Sequence, residues 1–373
     1  MWTGSWLRCI MLFRADALRR ILSDLFGLES VALFGRGRAG LAALLEELGA
    51  SGLPVLIPSN LCPAVLAAVV AAGASPILVP VSPQTGLADD ERFAAVLRAQ
   101  PALRGFVMPT HLYGFWTDYR QTARLARARG WFVIENDCMA TLAASEKPKP
   151  AIGDAVLVSF GSGKTIDAGG GGAIFTRDEG LAAALDRRAG AWPNLGFDDE
   201  ATERHLTEAR RSLRALGHPA LAELLLSQDL SHLRHRFDER LAEPLTAALS
   251  GFRKDCQRRR DRLESWRDSL AGLSDALTIP TVEAAAPWRM ICRTRSADLR
   301  ERVAQDLRRA GFDAGINYPP LTDGFPALLS GQRHVDAEDW GGNVLNLWLT
   351  DDYDPNRISR AAAVIAGSLG IAA

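Results

Sequence analysis

The chain has 373 residues and a formal net charge of −1, with 43 Lys and Arg against 44 Asp and Glu. Its 47% hydrophobic and 23% charged residues suit a globular protein of two domains, or one large domain with a smaller one attached. So even a charge balance gives no support to nucleic acid or an anionic membrane as the main partner.

The first residues, Met1 to Arg8, lack the charged-then-apolar layout of a signal peptide. Residues 1–24 read as an N-terminal arm. No apolar run approaches the ~20 residues that a membrane span needs. Five cysteines (Cys9, Cys62, Cys138, Cys256 and Cys292) form no C-x-x-C pair. Neither a disulfide framework nor a metal site is expected, and the cytoplasm is the expected compartment.

From residue 31 short β-rich runs alternate with helical segments. Strands are expected over Val31–Phe34, Val55–Ile57, Ile77–Val81, Phe106–Pro109, Phe132–Ile134, Val156–Phe160 and Ala173–Phe175. Helices are expected over Ala39–Leu48, Ala64–Ala72, Asp89–Arg98 and Asp118–Arg129. This alternation predicts an α/β fold whose mainly parallel sheet is covered on both faces. Right-handed crossovers then bring the loops after the strands to one rim. Residues 199–270 read as long charged helices. A smaller α+β unit follows, with strands at Met290–Cys292 and Val344–Leu349 and helices at Asp298–Ala310 and Arg357–Ile365. The expected division is 25–250 for the large domain and 251–373 for the small one.

The strongest chemical signal is Ser159-Phe160-Gly161-Ser162-Gly163-Lys164-Thr165, followed closely by the glycine run Gly169–Gly172 and another strand. A strand ends at a serine, a short polar loop presents one lysine, and the glycines let backbone pass close by. A lysine at such a rim is suited to attack on an aldehyde when its amine is partly desolvated. Phe34-Gly35-Arg36-Gly37-Arg38-Ala39 ends a strand and opens a helix, whose free N–H groups and dipole favour an anion. Pro109-Thr110-His111-Leu112-Tyr113-Gly114 and Val133-Ile134-Glu135-Asn136-Asp137-Cys138 end two further strands on the same rim.

Together these segments resemble the DegT/DnrJ/EryC1/StrS aminotransferases, enzymes of the aspartate-aminotransferase fold that carry pyridoxal 5′-phosphate (PLP). The resemblance runs over about 25–190 and resumes near 311. It implies that Lys164 holds the cofactor as an imine and that Gly37, Arg38, Ala39 and Ser159 grip its phosphate. It also implies that His111 lies near the ring and that an acid lies under the pyridine nitrogen. Counting from His111 without gaps puts Asn136 in the acid's place; matching the Asp-Cys pair puts Asp137 there, and the chemistry favours Asp137. The family usually has Ser or Thr at position 38 and Gln or His shortly after the acid. The implied reaction is amino transfer from a small amino donor to a keto-sugar or similar ketone, possibly a nucleotide sugar, in a homodimer. A dehydratase, aldolase or lyase reaction on the same fold, or a non-catalytic binding role, are the alternatives. Ile316-Asn317-Tyr318-Pro319-Pro320-Leu321 and Asn346–Leu349 resemble small-domain markers of structural rather than catalytic character.

Overall fold

The computed structural model describes residues 3–371, apart from 195–200, parts of 203–233 and residue 333. A seven-stranded sheet forms the body of the large domain. In chain order its strands are β1 (Ser30–Phe34), β2 (Pro54–Pro58), β3 (Ser75–Val79), β4 (Phe106–Val107), β5 (Phe132–Asn136), β6 (Ala155–Ser159) and β7 (Gly172–Thr176). Their spatial order is β1-β7-β6-β5-β4-β2-β3. β7 is antiparallel to both of its neighbours, whereas β3, β2, β4, β5 and β6 run parallel. The strands are apolar runs rather than alternating ones because both faces are buried. Along β1 and β6 successive side chains enter different cores: Ala32, Phe34 and Leu157 on one face, Val31, Leu33, Val156 and Val158 on the other.

Helices α2 (Gly37–Glu47), α3 (Pro63–Ala71), α4 (Asp90–Ala99), α5 (Arg120–Ala128) and α6 (Glu179–Gly190) follow strands, as crossovers require. Their starts are written in the sequence. Asp89 caps α4 by accepting from Arg92 N–H at 3.0 Å, Asp178 caps α6 through Leu181 N–H, and Pro63 opens α3. The opposite core is closed by α1 (Thr3–Phe26) and α7 (Ala242–Leu270). Leu18, Leu22 and Phe26 of α1 pack there with Leu245, Leu249 and Phe252 of α7, and the Phe26 ring lies 4.7 Å from that of Phe175.

The second half of α7 belongs to another core. Leu263, Trp266 and Leu270 pack with Met290, Leu307, Leu345 and Ile365 around a three-stranded antiparallel sheet of Leu277–Thr278, Met290–Thr294 and Val344–Leu347. One helix therefore joins the two units, and residue 250 falls inside it. Of the charged stretch 199–270, the part before Arg234 lies largely outside the described residues. No described helix is long and apolar enough to cross a membrane.

Winding reverses between β2 and β4, which sit side by side although β3 separates them in sequence. At such a reversal the connections leave in opposite directions and open a crevice beyond the carboxyl ends of the strands. The loops after β2, β4, β5 and β6 all reach that crevice.

Candidate active site

The crevice is a cavity of about 770 Å³. Its walls include Gly37 and Arg38 from the start of α2, Cys62, Thr110 and His111, Asn136 at the end of β5, Ser159 at the end of β6 and Lys164 in the loop after it.

The N-cap of α2, Arg36, provides no side-chain cap, so the N–H groups of Gly37 and Arg38 have no intrahelical acceptor. Both residues line the cavity. Ala39 is fully buried, and its N–H bonds to the Arg36 carbonyl at 3.1 Å. Of the three residues expected to grip an anion, Gly37 and Arg38 lie on the cavity wall, and the Ala39 N–H is engaged in the helix turn. Ser159 stands against this helix end. A Cβ added at Gly37 would lie 3.1 Å from Ser159 Cβ, so the missing side chain is what lets the two segments close on each other. Gly172 has the same role from β7, since a Cβ there would come within 2.4 Å of the Gly37 backbone. Segments more than a hundred residues apart thus form one cradle.

The lysine loop is built on Asp167, whose carboxylate accepts from Gly163 N–H at 2.7 Å and Gly169 N–H at 2.8 Å. Lys164 N–H returns to the Gly161 carbonyl at 3.1 Å, and Gly163 takes a φ of +78°. Thr165 ties the loop to the turn after β5 through the Met139 carbonyl at 2.5 Å. From across the domain junction, the Trp288 indole donates to the Gly163 carbonyl at 2.6 Å.

The structure separates the two residues between which the sequence leaves the acid's place open. Asn136 lines the cavity. Its amide donates to Thr110 Oγ1 at 3.3 Å. Asp137 is fully buried and is absent from the cavity wall. Its carboxylate caps the turn that follows, accepting from Thr141 N–H, Thr141 O–H and Leu142 N–H. Burial pushes the Asp137 pKa up to about 6. The chemistry favours Asp137, but of the two only Asn136 lies on the cavity wall, because neighbouring side chains on an extended backbone point to opposite sides.

His111 sits in the wall with its ring fixed on both edges. Nε2 is 2.9 Å from Glu135 Oε1, and Thr117 N–H donates to Nδ1 at 3.3 Å. Glu135 in turn accepts from Ile152 and Gly153 N–H at 2.8 and 3.0 Å. Burial opposes the imidazolium, but the hydrogen bond and charge of Glu135 outweigh it and raise the His111 pKa.

The model of the DegT/DnrJ/EryC1/StrS aminotransferase family matches residues 12–366. The chain belongs to this family. It is 29% identical to GDP-perosamine synthase of Caulobacter vibrioides, over 85% of this chain and 79% of that one. It is also 29% identical to a UDP-N-acetyl-3-dehydro-alpha-D-glucosamine 3-aminotransferase of Acidithiobacillus ferrooxidans, over 94% and 88%. Among solved structures, an aminotransferase of Streptoalloteichus hindustanus superposes with a TM-score of 0.76 at 20% identity, covering 96% of this chain and 91% of the other. The fold is thus that of an α/β aminotransferase with a mostly parallel central sheet.

This member of the DegT/DnrJ/EryC1/StrS family also has wall residues that were not singled out from its sequence as site residues. Tyr318, read there as a structural marker, lines the cavity and stacks on Trp288 with ring centroids 5.9 Å apart. Tyr113 holds it by accepting from Tyr318 N–H at 3.1 Å. Cys62 and Cys138 line the cavity too. Burial pushes the Cys138 thiol up to about 12, so it stays protonated. For Tyr318 the Tyr-Pro-Pro run was a visible signal. For the cysteines nothing in the sequence set them apart. Among the described residues no group of three or more His, Cys, Asp or Glu is placed to hold a metal ion.

Proposed function

We propose that this aminotransferase uses PLP, anchored on Lys164, to move an amino group from a small amino donor to a keto-sugar, the acceptor class being that of the nucleotide-linked sugars named for its relatives. The observation that carries this reading is the convergence of a helix start with Ser159, a lysine and a polar strand end on one cavity. The site fits the group. The uncapped start of α2 offers two N–H groups and a helix dipole, and Ser159 adds a hydroxyl beside them. When bound, PLP supplies the electron sink that makes the hydrogen on the amino-bearing carbon removable.

The remaining steps belong to side chains of this chain. Lys164 would anchor the cofactor through its Nζ and, when free of it, would be the base that moves the proton from the donor's α carbon. Gly37, Arg38 and Ser159 would hold the phosphate end and so limit rotation of the ring away from the lysine. Asn136 would serve the ring-nitrogen end of the cofactor, with its amide fixed by Thr110. An amide cannot hold a proton on that nitrogen as a carboxylate does, so this chain would work with a weaker electron sink than an aspartate would give. The His111–Glu135 pair sets the cavity wall, and Tyr318 closes it from the small domain. A cytoplasmic homodimer is the assembly and compartment proposed with this activity.

The test is the visible absorbance of the lysine-bound cofactor. Purified protein reconstituted with PLP should show the band, and Lys164→Ala should lack it and lose turnover while keeping its circular dichroism spectrum. A band that survives dialysis in Lys164→Ala would remove the anchor from Lys164. Product analysis with an amino donor and a nucleotide-linked keto-sugar then tests the acceptor class.

A further inference from the structure

Lys164 lines two cavities: the crevice, and a second cavity of about 360 Å³ on the far side of the lysine loop, walled by Asp255, Arg258 and Arg259 of α7 and by Arg289. The loop is therefore a thin partition between two spaces. A Cβ added at Gly163 or at Gly169 would meet nothing within 4 Å. With so little packed against it, the loop takes its place from a few hydrogen bonds. Asp167 closes it on itself, and Thr165 fixes it to the turn after β5.

Just before the lysine, the tie to the rest of the molecule is the Trp288 indole, which donates to the Gly163 carbonyl at 2.6 Å. That carbonyl belongs to the peptide that carries the Lys164 nitrogen. The indole thus holds the rigid plane from which the lysine side chain starts.

Trp288 is itself held from several sides. Its backbone N–H donates to the Tyr113 carbonyl at 2.9 Å. Its carbonyl accepts from Arg289 Nη1 at 2.9 Å and from Arg259 Nη1 at 3.4 Å. Its ring lies 5.9 Å from that of Tyr318, with 12° between the planes, and Tyr318 stacks in turn on Tyr113 at 6.0 Å. The sheet domain, α7 and the small domain therefore all fix one side chain, and the polar atom of its ring is spent on the lysine loop.

We propose that Trp288 is the positioning residue for Lys164: its indole N–H fixes the Gly163–Lys164 peptide and keeps the lysine amine directed into the crevice rather than into the second cavity. This rests on the reading of Lys164 as the cofactor-anchoring lysine. A nucleophile that spends its time in the wrong space loses rate although its chemistry is intact.

The experiment separates the lysine from the crevice. Trp288→Phe keeps an aromatic ring and removes the N–H. Trp288→His keeps a five-membered ring that can return an N–H to the same place. Pyridoxine 5′-phosphate, which has no aldehyde, fills the crevice without engaging the lysine. It should bind wild type and Trp288→Phe alike, because Trp288 is not on the crevice wall. In full-length protein loaded with it, hydrogen exchange over residues 161–169 should quicken roughly tenfold in Trp288→Phe. With PLP, the visible band of the lysine-bound cofactor should form roughly tenfold more slowly in that variant. Trp288→His should recover most of both effects. Should Trp288→Phe fold poorly, Trp288→Met gives the same reading, since it too fills space without a donor. Exchange and band formation at wild-type rates in the variant without a donor would overturn the proposal. Equal slowing in Trp288→Phe and Trp288→His would do so too, by assigning the effect to ring bulk. So would weakened pyridoxine 5′-phosphate binding in Trp288→Phe, which would mean damage to the whole crevice. Failure of the lysine reading shows separately, as a band that survives in Lys164→Ala.

Discussion

At the residue scale, the pair Asn136–Asp137 holds the most specific expectations. If Asn136 faces the ring nitrogen, PLP labelled with nitrogen-15 in the ring should give the chemical shift of an unprotonated pyridine in the wild-type holoenzyme. In Asn136→Asp the shift should move to the protonated range, and proton abstraction should quicken. A protonated ring in the wild type would mean that another group supplies the proton. Asp137 makes a different prediction. Its native pKa of about 6 is above the ordinary value of 3.8. The native state then holds the proton over a window where the unfolded chain has lost it, so this group's contribution to stability falls as pH rises from about 4 to 6 and is flat above that. A shift of about two units corresponds to roughly 3 kcal/mol. The melting-temperature difference between wild type and Asp137→Asn, which cannot titrate, should therefore move in favour of the variant as pH rises across that window. A trend in the opposite sense would show that the three hydrogen bonds from Thr141 and Leu142 outweigh burial.

At the element scale, the turn after β4 shows how backbone places a site. Gly114 has a φ of +81°, and a Cβ there would fall 1.8 Å from the Ala286 carbonyl oxygen. Ala286 N–H bonds to the Gly114 carbonyl at 3.0 Å and Trp288 N–H to the Tyr113 carbonyl at 2.9 Å. The His-x-x-Gly segment is therefore a dock for the chain that brings Trp288 and Arg289 to the lysine loop. Gly114→Ala meets both a left-handed backbone and an immovable carbonyl. It should cost more than about 2 kcal/mol in denaturant unfolding and lower the quenching of Trp288 fluorescence by the bound cofactor. An unchanged midpoint would show that the 284–288 segment yields freely.

At the scale of the whole molecule, α7 is the mechanical link. Its first half is part of the sheet's core and its second half part of the small domain's, while Arg258 and Arg259 between them face the second cavity. Trp266 is fully buried and donates to the Trp348 carbonyl at 3.0 Å. Trp266→Ala should cost about 3–5 kcal/mol. Because the loss falls in the small-domain core, calorimetry should show that core melting ahead of the sheet domain. A single transition shifted as a whole would mean that α7 couples the two units into one cooperative block.

The sequence by itself determined the strand–helix alternation, the parallel sheet, the lysine loop and the glycine-started helix. All of these are local: apolar runs without alternation, caps at Asp89 and Asp178, and glycines where backbone must pass close. The tertiary structure decided which of Asn136 and Asp137 enters the cavity. Sequence spacing leaves the register open by one residue, and one residue reverses the direction of a side chain at a strand end. It also showed that the Ala39 N–H is engaged within the helix, because which N–H groups are used internally depends on where the helix turn closes. Tyr318 and Arg289 come to line cavities with Lys164 from positions more than a hundred residues away. No local pattern marks such a contact, because it is made by the packing of the small domain against the rim of the sheet.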